Sequence, residues 1–245
     1  MGYELRDCRE HGAFRGDSCP VCGSQGKILM TEREVDSVSR MLAAILRHSP
    51  ERYGIRLDEH GWARIYSIIP AIRAERRGYG WLTPRHIEAL ISTDEKKRYS
   101  LDGKGYIRAN YGHTIPVELD DLPSDNIPDI LYYQTSAEEY EIIKEAGISP
   151  SDKTWVHLSK TYRQAYVSGL FHIDDPKIVS VDAKGLLEVT PVYRATEDIF
   201  VVMEVPAQFV SESREEDVTL TDEEKSEIQK VKERRERRAN RSMGE

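Results

Sequence analysis

The stretch Thr83–Ile107, TPRHIEALISTDEKKRYSLDGKGYI, holds a helix signal and a hairpin signal in direct succession. Thr83-Pro84 starts a helix well, because proline at the first helical position gives up no intrahelical hydrogen bond and already has a helical φ. The spacing predicts that helix over Arg85–Ser92. Asp102-Gly103-Lys104-Gly105 has hairpin-turn composition and separates two short strands, near Tyr99–Leu101 and Tyr106–Ile107. Upstream, Val35, Val38, Met41, Leu42, Ile45 and Leu46 recur at the spacing of one helix face from Glu32 to His48. Thr31 suits its N-cap and Pro50 ends it. Gly54–Trp62 reads as a loop or short extended piece, and Ala63–Ile72 as a second short helix disturbed by Pro70.

Three helices followed by a β-hairpin is the order of a winged-helix domain, expected over residues 30–118. Residues 119–128 are acidic, carry Pro123 and Pro128, and read as a linker. Strand signals then dominate residues 129–220: Ile130–Tyr133, Val156–Leu158, Ile178–Val181 and Phe200–Val205. Two helical pieces interrupt them, Ala137–Glu145 and Tyr162–Ser168. The tail, 221–245, opens with a capping box, Thr221-x-x-Glu224, and continues as a helix of alternating charge sign with few apolar residues beyond Ile228 and Val231. Its expected form is a solvated helix, with an RNA-contacting arm as the alternative. The fold class is α+β.

All three cysteines fall in the first 22 residues, as Cys8-x2-His11-x7-Cys19-x2-Cys22. Each pair is one tight turn wide, so the two can close on opposite sides of a tetrahedral ion. Four protein ligands fill the shell, so a structural zinc is expected, stapling a small knuckle over residues 1–29. Three unrelated thiols beside a surface histidine are the plain alternative.

The net charge is −8, yet basic residues gather at Arg73–Arg77, Lys96–Arg98 and Lys230–Arg241. A binding face needs only local positive charge, so a nucleic-acid partner stays compatible with that balance. No run of about 18 apolar residues exists to span a membrane, and the first residues lack a signal-peptide core. A cytoplasmic protein is the expectation.

Two segments carry chemistry. Ser39-Arg40-x5-Leu46-Arg47-His48-Ser49-Pro50 sets an Arg-His pair at a helix end. Tyr106-Ile107-Arg108-Ala109-Asn110-Tyr111-Gly112-His113-Thr114 sets an arginine on a strand edge before a Gly-His turn. Taken alone, these are a helix cap, an ion pair and a turn. Taken together, guanidinium and imidazole donors can hold an anion.

Both segments, with Gly54-Ile55-Arg56-Leu57-Asp58-Glu59-His60-Gly61-Trp62 and Lys96-Lys97-Arg98-Tyr99 between them, resemble the NAD-dependent RNA 2'-phosphotransferase family of tRNA splicing. Leu131-Tyr132-Tyr133-Gln134-Thr135, Val156-His157-Leu158-Ser159 and Val181-Asp182-Ala183 extend the resemblance over about residues 35–210. It implies a winged-helix RNA lobe and an ADP-ribosyltransferase-like NAD lobe, with the active site in the cleft. The reaction would remove an internal 2'-phosphate from RNA, leaving 2'-hydroxyl RNA, nicotinamide and ADP-ribose 1'',2''-cyclic phosphate. Arg47, His48 and Arg108 would be catalytic, Asn110 and His113 would contact RNA, and Thr135, His157, Ser159 and Gly169 would bind NAD. The expected partner is RNA carrying a 2'-phosphate, tRNA in particular, and no membrane. Two departures stand out. The family's fourth catalytic arginine has no counterpart in Gly169-Leu170-Phe171-His172, and Tyr133-Gln134 replaces His-Gly. His172 or Arg163 is the candidate substitute. The rival readings are ADP-ribosylation of terminal phosphates of RNA or DNA, and a non-enzymatic zinc and winged-helix nucleic-acid-binding module.

Overall fold

The computed structural model describes residues 4–242, so residues 1–3 of the expected knuckle and 243–245 of the tail lie outside the described residues. The chain divides into two compact units, one formed by residues 1–121 and 152–154 and the other by 122–151 and 155–245. Each has mixed α and β structure and its own core.

The first unit opens with three short antiparallel strands, β1 (Leu5–Cys8), β2 (Gly12–Arg15) and β3 (Lys27–Met30), in the order β2-β1-β3. Leu5 and Met30 are fully buried and belong to the same apolar cluster as the helices that follow. Helix α1 (Glu32–Ala43) starts at the expected Thr31, whose hydroxyl accepts from the Glu34 amide while the Glu34 carboxylate takes the Thr31 N–H. The expected continuation to His48 is present but is not α-helical. Ala44–His48 form a π-turn, closed by the Ser49 N–H donating to Ala44 O at 2.8 Å.

Ala63 and Arg64 do not belong to the second helix as expected. They form β4 and pair with β6 (Tyr106–Ala109), giving the sheet order β4-β6-β5 with β5 at Tyr99–Leu101. Helix α2 then runs Ile65–Glu75 straight through Pro70. An interior proline costs about 3 kcal/mol, whereas burying Ile65, Ile68, Ile69 and Ile72 returns roughly 1.5–3 kcal/mol each. Packing wins. Helix α3 spans Pro84–Ser92 with proline at its first position, as the sequence predicts.

The second unit is one antiparallel sheet of order β10-β11-β8-β7-β9-β12. Its strands are β7 (Ile130–Thr135), β8 (Val156–Ser159), β9 (Lys177–Asp182), β10 (Tyr193–Arg194), β11 (Ile199–Val202) and β12 (Val210–Glu212). Strand alternation sends Leu131, Leu158, Val179 and Val181 to a core shared with α4 (Ala137–Ala146) and α6 (Ala183–Leu186). The opposite face takes Tyr132 and Ile178 against α5 (Tyr162–Leu170). Gly147 ends α4 at φ +81°, and a Cβ there would stand 2.2 Å from Val205 O. Only glycine permits the Ile148–Val205 bridge that follows.

The tail helix α7 (Asp222–Ser242) opens with the expected capping box. Its first half is docked, unlike the solvated helix expected. Ile228 is buried, Glu224 pairs with Arg163 at 2.7 Å, and Lys232 pairs with Asp174 at 3.0 Å. No helix among the described residues is long and apolar enough to cross a membrane.

Candidate active site

The π-turn delivers Arg47 and His48 to the start of the segment after β6. Thr114 clasps that turn: its N–H donates to Arg47 O at 2.9 Å and its hydroxyl to the same oxygen at 3.3 Å. The hydroxyl also sits 3.0 Å from His48 Nδ1. Where the hydroxyl donates to Arg47 O, Nδ1 is the donor in that pair and Nε2 keeps its lone pair. Burial, followed by the Arg47 charge, pulls the His48 pKa below its ordinary value.

Arg47 lies between the rings of Tyr99 and Tyr111, 5.4 and 5.0 Å from their centroids, and Nη2 donates to Arg98 O. Gly112, at φ +83°, lies against it, and a Cβ there would approach Nη1 to 3.2 Å. Arg108, on β6, is 7% exposed. Its guanidinium stacks 4.7 Å from the Trp62 ring centroid and donates to both Asp121 oxygens, at 2.8 and 2.7 Å.

His113 is 1% exposed, and neither ring nitrogen has a partner among the described residues. Burial first, then Arg47, Arg108 and His48, push its pKa down to about 4. His113 is therefore neutral near pH 7. Asn110 donates to Lys97 O at 2.7 Å, while its buried Oδ1 is unpartnered, as are Nε of Arg47 and of Arg108. Such orphaned buried groups are costly, and they cluster here beside two guanidinium groups and an imidazole. The arrangement can hold a compact anion.

The other expected residues lie in the second unit. Thr135 is fully buried and donates to Glu139 Oε2 at 2.8 Å, fastening the start of α4. His157, half-buried on β8, and Ser159, buried on the same strand, share one face by strand alternation. Gly169 lies inside α5, where a Cβ would meet Pro176 Cβ at 2.6 Å and Gln134 Cβ at 3.0 Å, so its small size serves packing. Of the two candidate substitutes for the missing arginine, Arg163 is engaged by Glu224 and by Thr219 O. The His172 amide closes the end of α5 on Gly169 O.

Near the N-terminus, Cys8, His11, Cys19 and Cys22 present ligand atoms that all lie within 4.8 Å of one another. Cys8 Sγ is 3.7 Å from Cys22 Sγ and 3.5 Å from His11 Nδ1. Two sulfurs at about 2.3 Å from a tetrahedral ion stand about 3.8 Å apart, so the spacing fits a metal of that size. The Ser24 hydroxyl, then backbone amides, lower the Cys8 thiol to about 6, favouring the thiolate a metal needs.

The RNA 2'-phosphotransferase family, Tpt1/KptA, matches residues 32–204. "Probable RNA 2'-phosphotransferase" of Thermoplasma acidophilum is 58% identical over 230 residues, covering 94% of this chain and 96% of that protein. Its namesake from Thermoplasma volcanium is 53% identical over 94% of this chain and 97% of its own length. "Probable RNA 2'-phosphotransferase 1" of Archaeoglobus fulgidus is 36% identical over 84% of this chain and 94% of its own.

The chain belongs to the RNA 2'-phosphotransferase family.

It is therefore a transferase, and the non-enzymatic reading falls. The family match begins at Glu32, beyond the Cys/His cluster, and ends at Glu204, before α7. Sequence reasoning missed three members of this neighbourhood. Asp121 lies in the stretch read as a linker, although Leu119 and Leu122 beside it are buried. Trp62 sits in a quoted motif with no role assigned. Thr114 closes the Gly-His-Thr turn. Only Trp62 carried a readable signal, a large aromatic after Gly61 at the end of a loop.

Proposed function

We propose that the chain removes a 2'-phosphate from RNA with NAD as acceptor, and that Arg47, His48 and Arg108 hold the phosphate. The observation that carries this reading is the convergence of two guanidinium groups and an imidazole on one patch containing buried, unpartnered nitrogens. A phosphate dianion supplies acceptors there, and planar guanidinium forks suit it better than ammonium groups. Asn110 and His113 contact the RNA beside it. The proposed layout keeps a zinc knuckle at 1–29, a winged-helix RNA lobe at 30–118, a linker at 119–128, an ADP-ribosyltransferase-like lobe at 129–220 and a charged tail at 221–245. Zinc is the ion that a cluster of three cysteines and one histidine suits, in a structural role.

NAD supplies an electrophilic ribose carbon with nicotinamide as leaving group. Thr135, His157, Ser159 and Gly169 are the residues that would hold it, His157 and Ser159 from one face of β8. Arg47 and Arg108 stabilise negative charge as it crowds on the phosphorus. His48 is the titrating member. Neutral at Nε2, it takes the proton of an attacking hydroxyl and returns it to the departing RNA 2'-oxygen. The products are 2'-hydroxyl RNA, nicotinamide and ADP-ribose 1'',2''-cyclic phosphate, with tRNA as the physiological class.

A second reading follows from Arg163 being tied to Glu224, with no arginine from residue 164 to 193. Short of a cation, the reaction would stop at ADP-ribosylation of a phosphate on RNA or DNA. Incubation with NAD and 2'-phosphorylated RNA separates the two readings. The full reaction gives cyclic phosphate and bare 2'-hydroxyl RNA, and Arg108→Ala or His48→Ala removes both products. Wild-type turnover in both variants would refute the site.

A further inference from the structure

The first unit has a cleft of about 540 Å³, walled in part by the same Trp62 that carries Arg108 on its ring. That volume lies in the range of roughly 300–1,000 Å³ typical of ligand clefts. Its lining includes Arg56, Asp58, Trp62, Arg64, Ser67 and Tyr106, alongside Gly54, Ile55, Leu57 and Ala63. Asp58 is spent on the backbone, since Oδ1 accepts from the His60 and Trp62 amides at 3.0 and 2.8 Å. Arg56 and Arg64 are exposed and have no ion pair among the described residues. Arg64 is laid over the Tyr106 ring, 5.4 Å from its centroid, with Nε donating to the phenol at 2.7 Å. On the first turn of α2 beside Arg64, Tyr66 is 74% exposed.

We propose that this cleft docks the unpaired nucleotides flanking the phosphorylated one in a single-stranded RNA. The inference rests on the RNA reading above and assigns it a binding path. Two guanidinium groups without an ion pair match phosphodiester charge, and flat side chains offer stacking faces that every base can use. A duplex hides its base faces, so aromatic walls of this kind favour a single strand. Trp62 belongs to both places: it lines the cleft and holds Arg108 at 4.7 Å from its ring centroid. A nucleotide stacked in the cleft therefore neighbours one whose 2'-phosphate reaches Arg108.

The test uses the full chain with two substrates, a 2'-phosphorylated dinucleotide and a single-stranded octanucleotide of the same centre. Arg56→Ala/Arg64→Ala should lower kcat/KM on the octanucleotide at least tenfold more than on the dinucleotide. In fluorescence anisotropy with an unphosphorylated octanucleotide, the log–log salt slope should fall by about 1.4, the value for two phosphate contacts on a single strand. Arg56→Lys/Arg64→Lys should keep the slope, and Tyr66→Ala should weaken binding at unchanged slope. Equal losses on both substrates, unaltered octanucleotide binding, or a duplex competing as well as the strand would overturn the proposal. Loss of strand binding in the variants, with no phosphate transfer by the parent chain, would uphold the cleft and sink the activity.

Discussion

Arg108 Nη1 donates to both oxygens of Asp121, which makes that carboxylate a competitor for the proposed phosphate. The Asp121 side chain is one-third exposed, so the pair is screened and contributes about 1 kcal/mol. Asp121→Asn should lower KM for phosphorylated RNA about fivefold with kcat kept. A fall in kcat at constant KM would show instead that Asp121 positions Arg108. His113 gives a pH signature. Its folded pKa, about 4, lies below its unfolded value of 6.5, so the unfolded chain takes up the proton first as pH falls. Stability is full above pH 6.5 and is lost between 6.5 and about 4, by about 3 kcal/mol. Urea unfolding across that window should show the loss in the parent chain and not in His113→Gln. Equal acid sensitivity in both would refute the assignment.

At the level of elements, the helices were legible because their ends are chemical: Thr31, Thr83-Pro84, and Thr221 with Glu224. Strands β1–β3 were not, because four-residue strands around Cys/His turns have too little alternation to register. Their ends, Leu5 and Met30, pack with the helices, so a metal held by Cys8, His11, Cys19 and Cys22 would brace strands anchored in the first unit's core. Stripping zinc with a chelator, or Cys8→Ser, should therefore lower the thermal midpoint of the whole first unit. Metal analysis should give one zinc per parent chain. An unchanged midpoint after verified metal loss would refute the staple.

Across the whole molecule, two cores divide the proposed labour, with phosphate on the first unit and NAD on the second. Ligands that bind only the folded form slow the local openings that allow amide exchange. Inorganic phosphate should slow exchange over residues 106–114, and NAD over residues 156–159. Protection by NAD confined to the first unit would overturn the division.

Local chemistry determined the caps, the Asp-Gly-Lys-Gly hairpin, the metal-ligand spacing and the ordered motifs that carry Arg47-His48 and Arg108, since each depends on residues close in sequence. Tertiary structure decided what depends on distant partners. Ala63 and Arg64 left the second helix for β6, and α2 kept its course through Pro70 because buried isoleucines outweigh one lost hydrogen bond. Arg108 met Asp121 and Trp62, 13 and 46 positions away, and His113 lost its water and its charge. Those pairings are set by where the chain packs, a property that no short window of sequence contains.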